Sequence, residues 1–266
     1  MVSGEWVNTR AGKRADKLKA FLDKKVLLYN TPAFIADDPV SVPHLFTRKQ
    51  DIEISGFLAA TIAWGNRKSI VGNARKLIGM TGNSPYDFII HAKPEDFKPF
   101  LRFVHRTFNG DDCIFFLTSL QQLYRKHNSL EPLFASMNEH GAARAISTFR
   151  ASFLETEHLR RTEKHISDPL SGSASKRLNL FLRWMVRNDN QGVDFGIWKS
   201  VDPKNLICPL DVHSGRVARA LGLLRRTQND WKAALELTES LKELDPADPV
   251  KYDFALFGIG VNEQRA

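Results

Sequence analysis

Apolar residues recur along the chain at helical spacing, and this spacing predicts most of its secondary structure. Ile54, Leu58 and Ile62 repeat every four residues, which predicts a helix over 50–64. The same pattern predicts further helices, namely 10–25, 113–126, 136–154, 229–244 and 249–259. No run alternates polar and apolar residues over the length of a strand. The sequence therefore predicts an all-α fold.

Two of the segments between predicted helices have compositions that are typical of irregular structure. Residues 31–50 contain three prolines, which predicts an irregular connection there. Residues 188–209 contain Asn, Asp, Gly and Pro, so we expect a loop with a short helix around Trp198.

The segment 169–187 contains the clearest amphipathic helix. Its apolar residues from Leu178 to Met185 follow the i, i+3, i+4, i+7 spacing, which predicts one buried stripe on a helix that begins near Ser175. Lys176 lies at the helix start, roughly opposite that stripe. The small residues at 171–175 predict a tight turn whose backbone N–H groups can approach a phosphate. The alternative is a plain connection followed by one solvated lysine.

Asp211 lies just before another predicted helix. Val217, Leu221 and Leu224 form its apolar stripe. Asp and Ser are both preferred N-cap residues, so Asp211 could serve only as a cap. Ser214 is also available as the cap of a helix that starts at Gly215, and this alternative would leave Asp211 free for chemistry.

Composition limits the classes of protein. The chain has 266 residues, of which 42% are hydrophobic, so it can bury a sizeable core. It lacks both a membrane-length apolar run and the pattern of a signal peptide, which predicts a cytoplasmic protein with no membrane partner. Its two cysteines are too few for a disulfide framework or a four-cysteine metal site, and we expect no bound metal.

The net charge of +8 is unevenly distributed. Lys and Arg concentrate in 160–187 and 213–226, whereas the final forty residues are locally acidic. This asymmetry predicts one basic face and favours a nucleic acid as the partner.

The segments around Lys176 and Asp211 together resemble the helix-hairpin-helix DNA glycosylase superfamily. LSGSASK at 170–176 resembles the hairpin pattern L-P-G-V-G-x-K, and LDVH at 210–213 followed by RVAR at 216–219 resembles V-D-x-H-v-x-R-v-a-x-R. Ala174 replaces the second glycine and Ser171 the proline. The long loop between Lys176 and Asp211 is similar to that of the archaeal 8-oxoguanine branch.

The resemblance implies a two-lobed helical fold with a cleft between the lobes. The N-terminal helix and irregular arm (1–50) would pack on the C-terminal lobe, 51–160 would form a helical lobe, and 161–266 would form the helix-hairpin-helix lobe with the C-terminal helices. The protein would be a monomer without cofactor. The cysteine cluster that holds the iron–sulfur cluster of endonuclease III is missing, and hairpin carbonyls could hold a monovalent cation.

The resemblance also implies an activity on damaged double-stranded DNA. The enzyme would be a DNA glycosylase with AP lyase activity in base excision repair, with 8-oxoguanine as the first candidate among oxidised purines. Lys176 would attack the sugar and form a Schiff base, and Asp211 would stabilise charge and accept the proton. The remaining expected site residues contact DNA (Asn66, Arg67, Lys68, Gly172, Ser173, Ser175, Arg177, His213, Arg216) or line the base pocket (Asp253, Phe257).

Two other functions remain open on the sequence. A helix-hairpin-helix protein could bind the DNA backbone without catalysis, and a basic helical scaffold could bind protein partners. Catalysis requires the Lys176 amine and the Asp211 carboxylate to face one cleft on the basic side.

Overall fold

The computed structural model describes residues 10–263, and every regular element in that range is helical. The predicted all-α fold class is confirmed. The two-lobed arrangement and the domain boundaries stay predictions. Residues 1–9 of the predicted N-terminal arm and 264–266 of the predicted C-terminal lobe lie outside the described residues.

Eleven α-helices form the described structure. Their bounds are α1 Arg10–Tyr29, α2 Pro32–Ile35, α3 Lys49–Thr61, α4 Arg67–Gly79, α5 Pro85–His91, α6 Gly110–Lys126, α7 Met137–Phe153, α8 Lys176–Val186, α9 Val212–Ala220, α10 Trp231–Lys242 and α11 Tyr252–Asn262. Short 3-10 turns lie between them at Pro39–Ser41, Pro43–Leu45, Pro94–Arg102, Glu131–Phe134, Arg160–His165, Pro203–Asn205 and Pro249–Lys251. Within residues 10–263, no helix combines the length and the apolar character needed to cross a membrane.

Every residue of α3 from Ile52 to Thr61 is buried. The helix therefore lies in the middle of the core. Its Phe57 ring contacts Phe116, Phe153 and Phe181 at centroid distances of 5.9, 5.3 and 5.5 Å. Phe181 belongs to α8, so these aromatic contacts hold α8 against the central helix.

A buried carboxylate on α3 organises the long loop that follows α8. Glu53 accepts hydrogen bonds from Tyr124 Oη at 2.7 Å, Ser129 Oγ at 2.6 Å and Trp198 Nε1 at 2.6 Å. A buried charge must be hydrogen-bonded, so this carboxylate fixes the Trp198 side chain in the core. The prediction of a short helix around Trp198 was wrong: tertiary contacts order this segment, and its regular turn lies at Pro203–Asn205.

Helix α11 packs between α1 and α9, and two glycines allow the close approach. A Cβ added to Gly258 would overlap the Tyr29 ring of α1, and one added to Gly260 would lie 3.1 Å from the Cβ of His213 on α9. The start of α9, with Asp211 before it, is thereby held beside α11.

We expect Gly258→Ala to destabilise the protein by about 1–3 kcal/mol, because the methyl group would force the Tyr29 ring out of its packed position. Gly72→Ala in the exposed part of α4 is the matched control, since no atom lies within 4 Å of the added Cβ. That substitution should stabilise the helix by about 0.5–1 kcal/mol. Denaturant unfolding of both variants measures the difference, and equal stability would contradict the packing argument.

Candidate functional site

A cavity of about 830 Å³ opens between α4, α8, α9, α11 and the segment 34–39. Most of the site residues expected from the sequence line it, namely Asn66, Arg67, Lys176, Arg177, Asp211, His213, Arg216, Asp253 and Phe257. Residues that are far apart in the sequence therefore meet at one place in the fold.

Lys176 and Asp211 face each other across this cavity. Lys176 Nζ lies 3.8 Å from Asp211 Oδ2, and the two side chains are 28% and 22% exposed. Lys176 is the first residue of α8, and Ser175 before it adopts a left-handed conformation with φ of 46°. This turn directs the chain into α8 so that the lysine stands at the cavity wall.

The two carboxylate oxygens of Asp211 have different environments. Oδ1 accepts hydrogen bonds from the backbone N–H groups of His213 at 2.8 Å and Ser214 at 2.9 Å. Oδ2 faces Lys176. Of the two candidate caps, Asp211 and not Ser214 caps α9, because the helix begins at Val212 and places Asp211 at the N-cap position. Ser214 instead completes the capping box by accepting from the Asp211 N–H.

Arg183 on α8 and Arg187 directly after this helix are both buried in ion pairs. The Arg183 guanidinium contacts Asp253, and its Nε lies 3.2 Å from Asp194 Oδ1. Arg187 contacts Asp194 and Asp248 at 3.0 and 2.9 Å. These arginines add nothing to the basic face expected over 160–187, because their charges are neutralised inside the protein. Burial raises the pKa of Asp253 to about 6, and the Arg183 charge opposes this shift.

The Arg177 guanidinium is engaged with the protein rather than free for a phosphate. It donates to the carbonyls of Thr61 at 2.7 Å and Lys164 at 3.0 Å, and it stacks over the Trp64 ring. Burial lowers its pKa to about 10. The side chain thus ties the start of α8 to the end of α3, and the expected DNA contact by Arg177 stays a prediction.

The start of α4 forms another wall of the cavity. Asn66 caps this helix, because its Oδ1 accepts the Ser69 N–H at 3.2 Å. The Arg67 guanidinium lies over the rings of Phe257 and Phe34 at 4.9 and 5.7 Å. The stacking face of Phe257 in the cavity is therefore covered by a planar cation.

The family of the chain follows from a comparison with family models. The model described as Protein of unknown function (DUF2400) matches residues 38–262. The chain belongs to the DUF2400 family. No curated protein and no solved structure matches it. The identification as a helix-hairpin-helix DNA glycosylase is wrong, because it rested on two short motifs whereas the family match spans most of the chain.

The hairpin of this DUF2400 protein differs from the expected phosphate-binding turn. The N–H groups of Gly172, Ser173 and Ser175 donate within the hairpin, to Pro169 O, Asp168 O and Ser173 Oγ. Ser175 is also buried. These three groups are thus occupied, and the prediction that they contact DNA is corrected. The cavity lining also does not include these three residues or Lys68.

The monovalent cation at the hairpin stays a prediction. The carbonyls of Asp168, Pro169, Gly172 and Ala174 each accept a hydrogen bond from another protein group. In the described part of the chain, no group of three or more His, Cys, Asp or Glu residues is arranged to hold a metal ion.

Other residues than the expected ones also line the cavity of this DUF2400 protein, and four of them have aromatic or charged side chains. They are Phe34, Asp38, Trp64 and Arg183. Asp38 precedes Pro39, a pattern typical of a capped turn, but nothing local shows that the turn lines a cavity. Arg183 falls among the apolar residues of α8, and this position could have indicated a buried arginine.

We expect Asp211→Ala to lower the free energy of unfolding by about 1 kcal/mol, because α9 loses its N-cap acceptor. Asp211→Asn keeps a side-chain oxygen for the cap and should cost clearly less. Urea denaturation at neutral pH measures both. An equal loss in the two variants would mean that the charge of Asp211, rather than the cap, carries its contribution to stability.

Proposed function

We propose that this protein is a DNA glycosylase with AP lyase activity that removes an oxidised purine from double-stranded DNA in base excision repair. The observation that carries the proposal is the Lys176 amine 3.8 Å from the Asp211 carboxylate within one cavity. The proposal rests on this geometry and not on the family, whose description names no activity.

The chemistry uses the two groups in sequence. The bond between C1′ and the base breaks, and the bonding electrons leave with the base. Asp211 Oδ2 takes a proton from the Lys176 ammonium, and the neutral amine then forms a bond to C1′ with its electron pair. The C1′–O4′ bond breaks with its electron pair on O4′, which takes the proton of the new ammonium, and this leaves the Schiff base at C1′. The carboxylate also stabilises the positive charge that develops on the sugar.

The cavity is suited to a base rotated out of the duplex. Its volume of about 830 Å³ lies within the range of small-molecule sites and is sufficient for a purine with its sugar. Phe257 lines the cavity beneath the Arg67 guanidinium, and Asp253 offers a carboxylate for the base edge. We take 8-oxoguanine as the first substrate to test.

Exposed polar and cationic groups near the cavity are available to the DNA. Lys68, His213 and Arg216 are exposed in this structure, and Asn66 lies at the exposed start of α4. Such groups would position the enzyme on the backbone without reading sequence. We propose that a single copy of the chain binds the duplex.

A second candidate function is DNA binding without catalysis. The observation that favours it is the capping role of Asp211 Oδ1, since an aspartate at an N-cap already has a structural purpose. In that case Lys176 would serve as a phosphate contact.

Borohydride trapping tests the proposal. Incubation of the protein with duplexes that contain 8-oxoguanine or an abasic site should give a covalent protein–DNA adduct, and Lys176→Gln should abolish it. Lys126→Gln on α6 is the matched control, because Lys126 is exposed and pairs with Glu155 away from the cavity lining. The control variant should give as much adduct as the wild type.

The other outcomes separate the alternatives. Salt-dependent binding without adduct or base release on any lesion would favour a DNA-binding protein. No salt-dependent affinity for DNA would favour a protein scaffold. Adduct formation that persists in Lys176→Gln would contradict the assignment of the nucleophile.

A further inference from the structure

Asp38 is a buried carboxyl group that opens onto the cavity from outside the two sequence motifs. It precedes the turn Pro39–Ser41 and is only 8% exposed. Its Oδ1 accepts the Val40 N–H at 3.0 Å, which fixes the orientation of the carboxyl group.

The second oxygen of Asp38 has no hydrogen-bond donor among the residues that the structure describes. Oδ2 lies 3.8 Å from Arg67 Nη2, and no hydrogen bond joins these atoms. Asp253, the other buried carboxylate in the cavity wall, has its Oδ2 held by Arg183. Asp253 is thus hydrogen-bonded to a cation through one oxygen, whereas Asp38 is hydrogen-bonded only to a backbone N–H and keeps its Oδ2 for a ligand.

The surroundings of Asp38 act on the pKa of its carboxyl group in opposite directions. Burial raises the pKa of Asp38, while Arg67, Arg183 and Lys176 oppose the shift with their positive charges. The carboxylates of Asp211 and Asp253 line the same cavity. Arg67 is also placed to stabilise the anion that remains once the proton is given away.

We propose that Asp38 is the general acid that protonates the departing base. The inference rests on the proposed function. As the C1′–base bond breaks, its electron pair goes to the base, the Asp38 Oδ2 proton moves to a nitrogen or oxygen of the base, and the base leaves neutral. A proton from solvent then restores the carboxyl group.

The assignment separates two steps of the reaction. An intact lesion needs a proton for the base, whereas a pre-formed abasic site has already lost the base and needs only Lys176 and Asp211. Loss of the Asp38 proton should therefore affect the first substrate and spare the second.

Asp38→Asn tests this separation. Asparagine keeps an oxygen for the Val40 N–H but has no acidic proton. We expect single-turnover release of 8-oxoguanine to fall by about 100-fold or more, while borohydride trapping on a pre-formed abasic duplex is unchanged. In the wild type, base release should slow as the pH rises through the pKa of Asp38, and Asp38→Asn should lack this dependence.

Asp202→Asn is the matched control. Asp202 also precedes a proline and caps a short 3-10 turn, with its Oδ1 accepting the Lys204 N–H at 3.1 Å, but it does not line the cavity. Both activities should stay at the wild-type level in this variant, and thermal unfolding verifies that both variants are folded.

Each remaining outcome overturns a specific statement. Wild-type rates of base release in Asp38→Asn would exclude Asp38 as the acid. Equal losses on both substrates would make it a residue that only supports the site. If the wild type forms no adduct even with the abasic duplex, the proposed function itself fails, and this inference fails with it.

Discussion

The buried Arg183 guanidinium must keep its carboxylate partners, and this requirement shapes the whole cavity. A guanidinium withdrawn from water without a counter-charge costs several kcal/mol, so Arg183 stays paired with Asp194 and Asp253. Arg183 belongs to α8 and Asp253 to α11, so the pairing fixes two walls of the cavity relative to each other. Lys176 at the start of α8 is positioned by the same constraint.

Three carboxylates around one lysine have three different environments. Asp211 is divided between a helix cap and the lysine, Asp253 is held by Arg183, and Asp38 retains an oxygen without a donor. Carboxylates whose surroundings differ in this way can have different protonation states at one pH. All three carboxylates line the same cavity.

The sequence predicted some elements well and others poorly, for physical reasons. The regular apolar spacing around Ile54 and Leu178 predicted α3 and α8, because local periodicity reflects a buried helix face. It failed around Trp198, where the order of the chain depends on a hydrogen bond to Glu53, 145 residues away. The motif resemblance failed at the family level, because matches over a few residues do not define the rest of the chain.

By itself, the sequence determined the all-α class and the place of Lys176 at the start of a helix, since both depend on local spacing and turn residues. It also indicated that Asp211 lies at a helix start, but not which of Asp211 and Ser214 caps it. Only the tertiary structure decided that both oxygens of Asp211 are used, that Arg183 is buried and that Asp38 enters the cavity. These features depend on which helix faces meet, and that information lies in contacts between residues far apart in the chain.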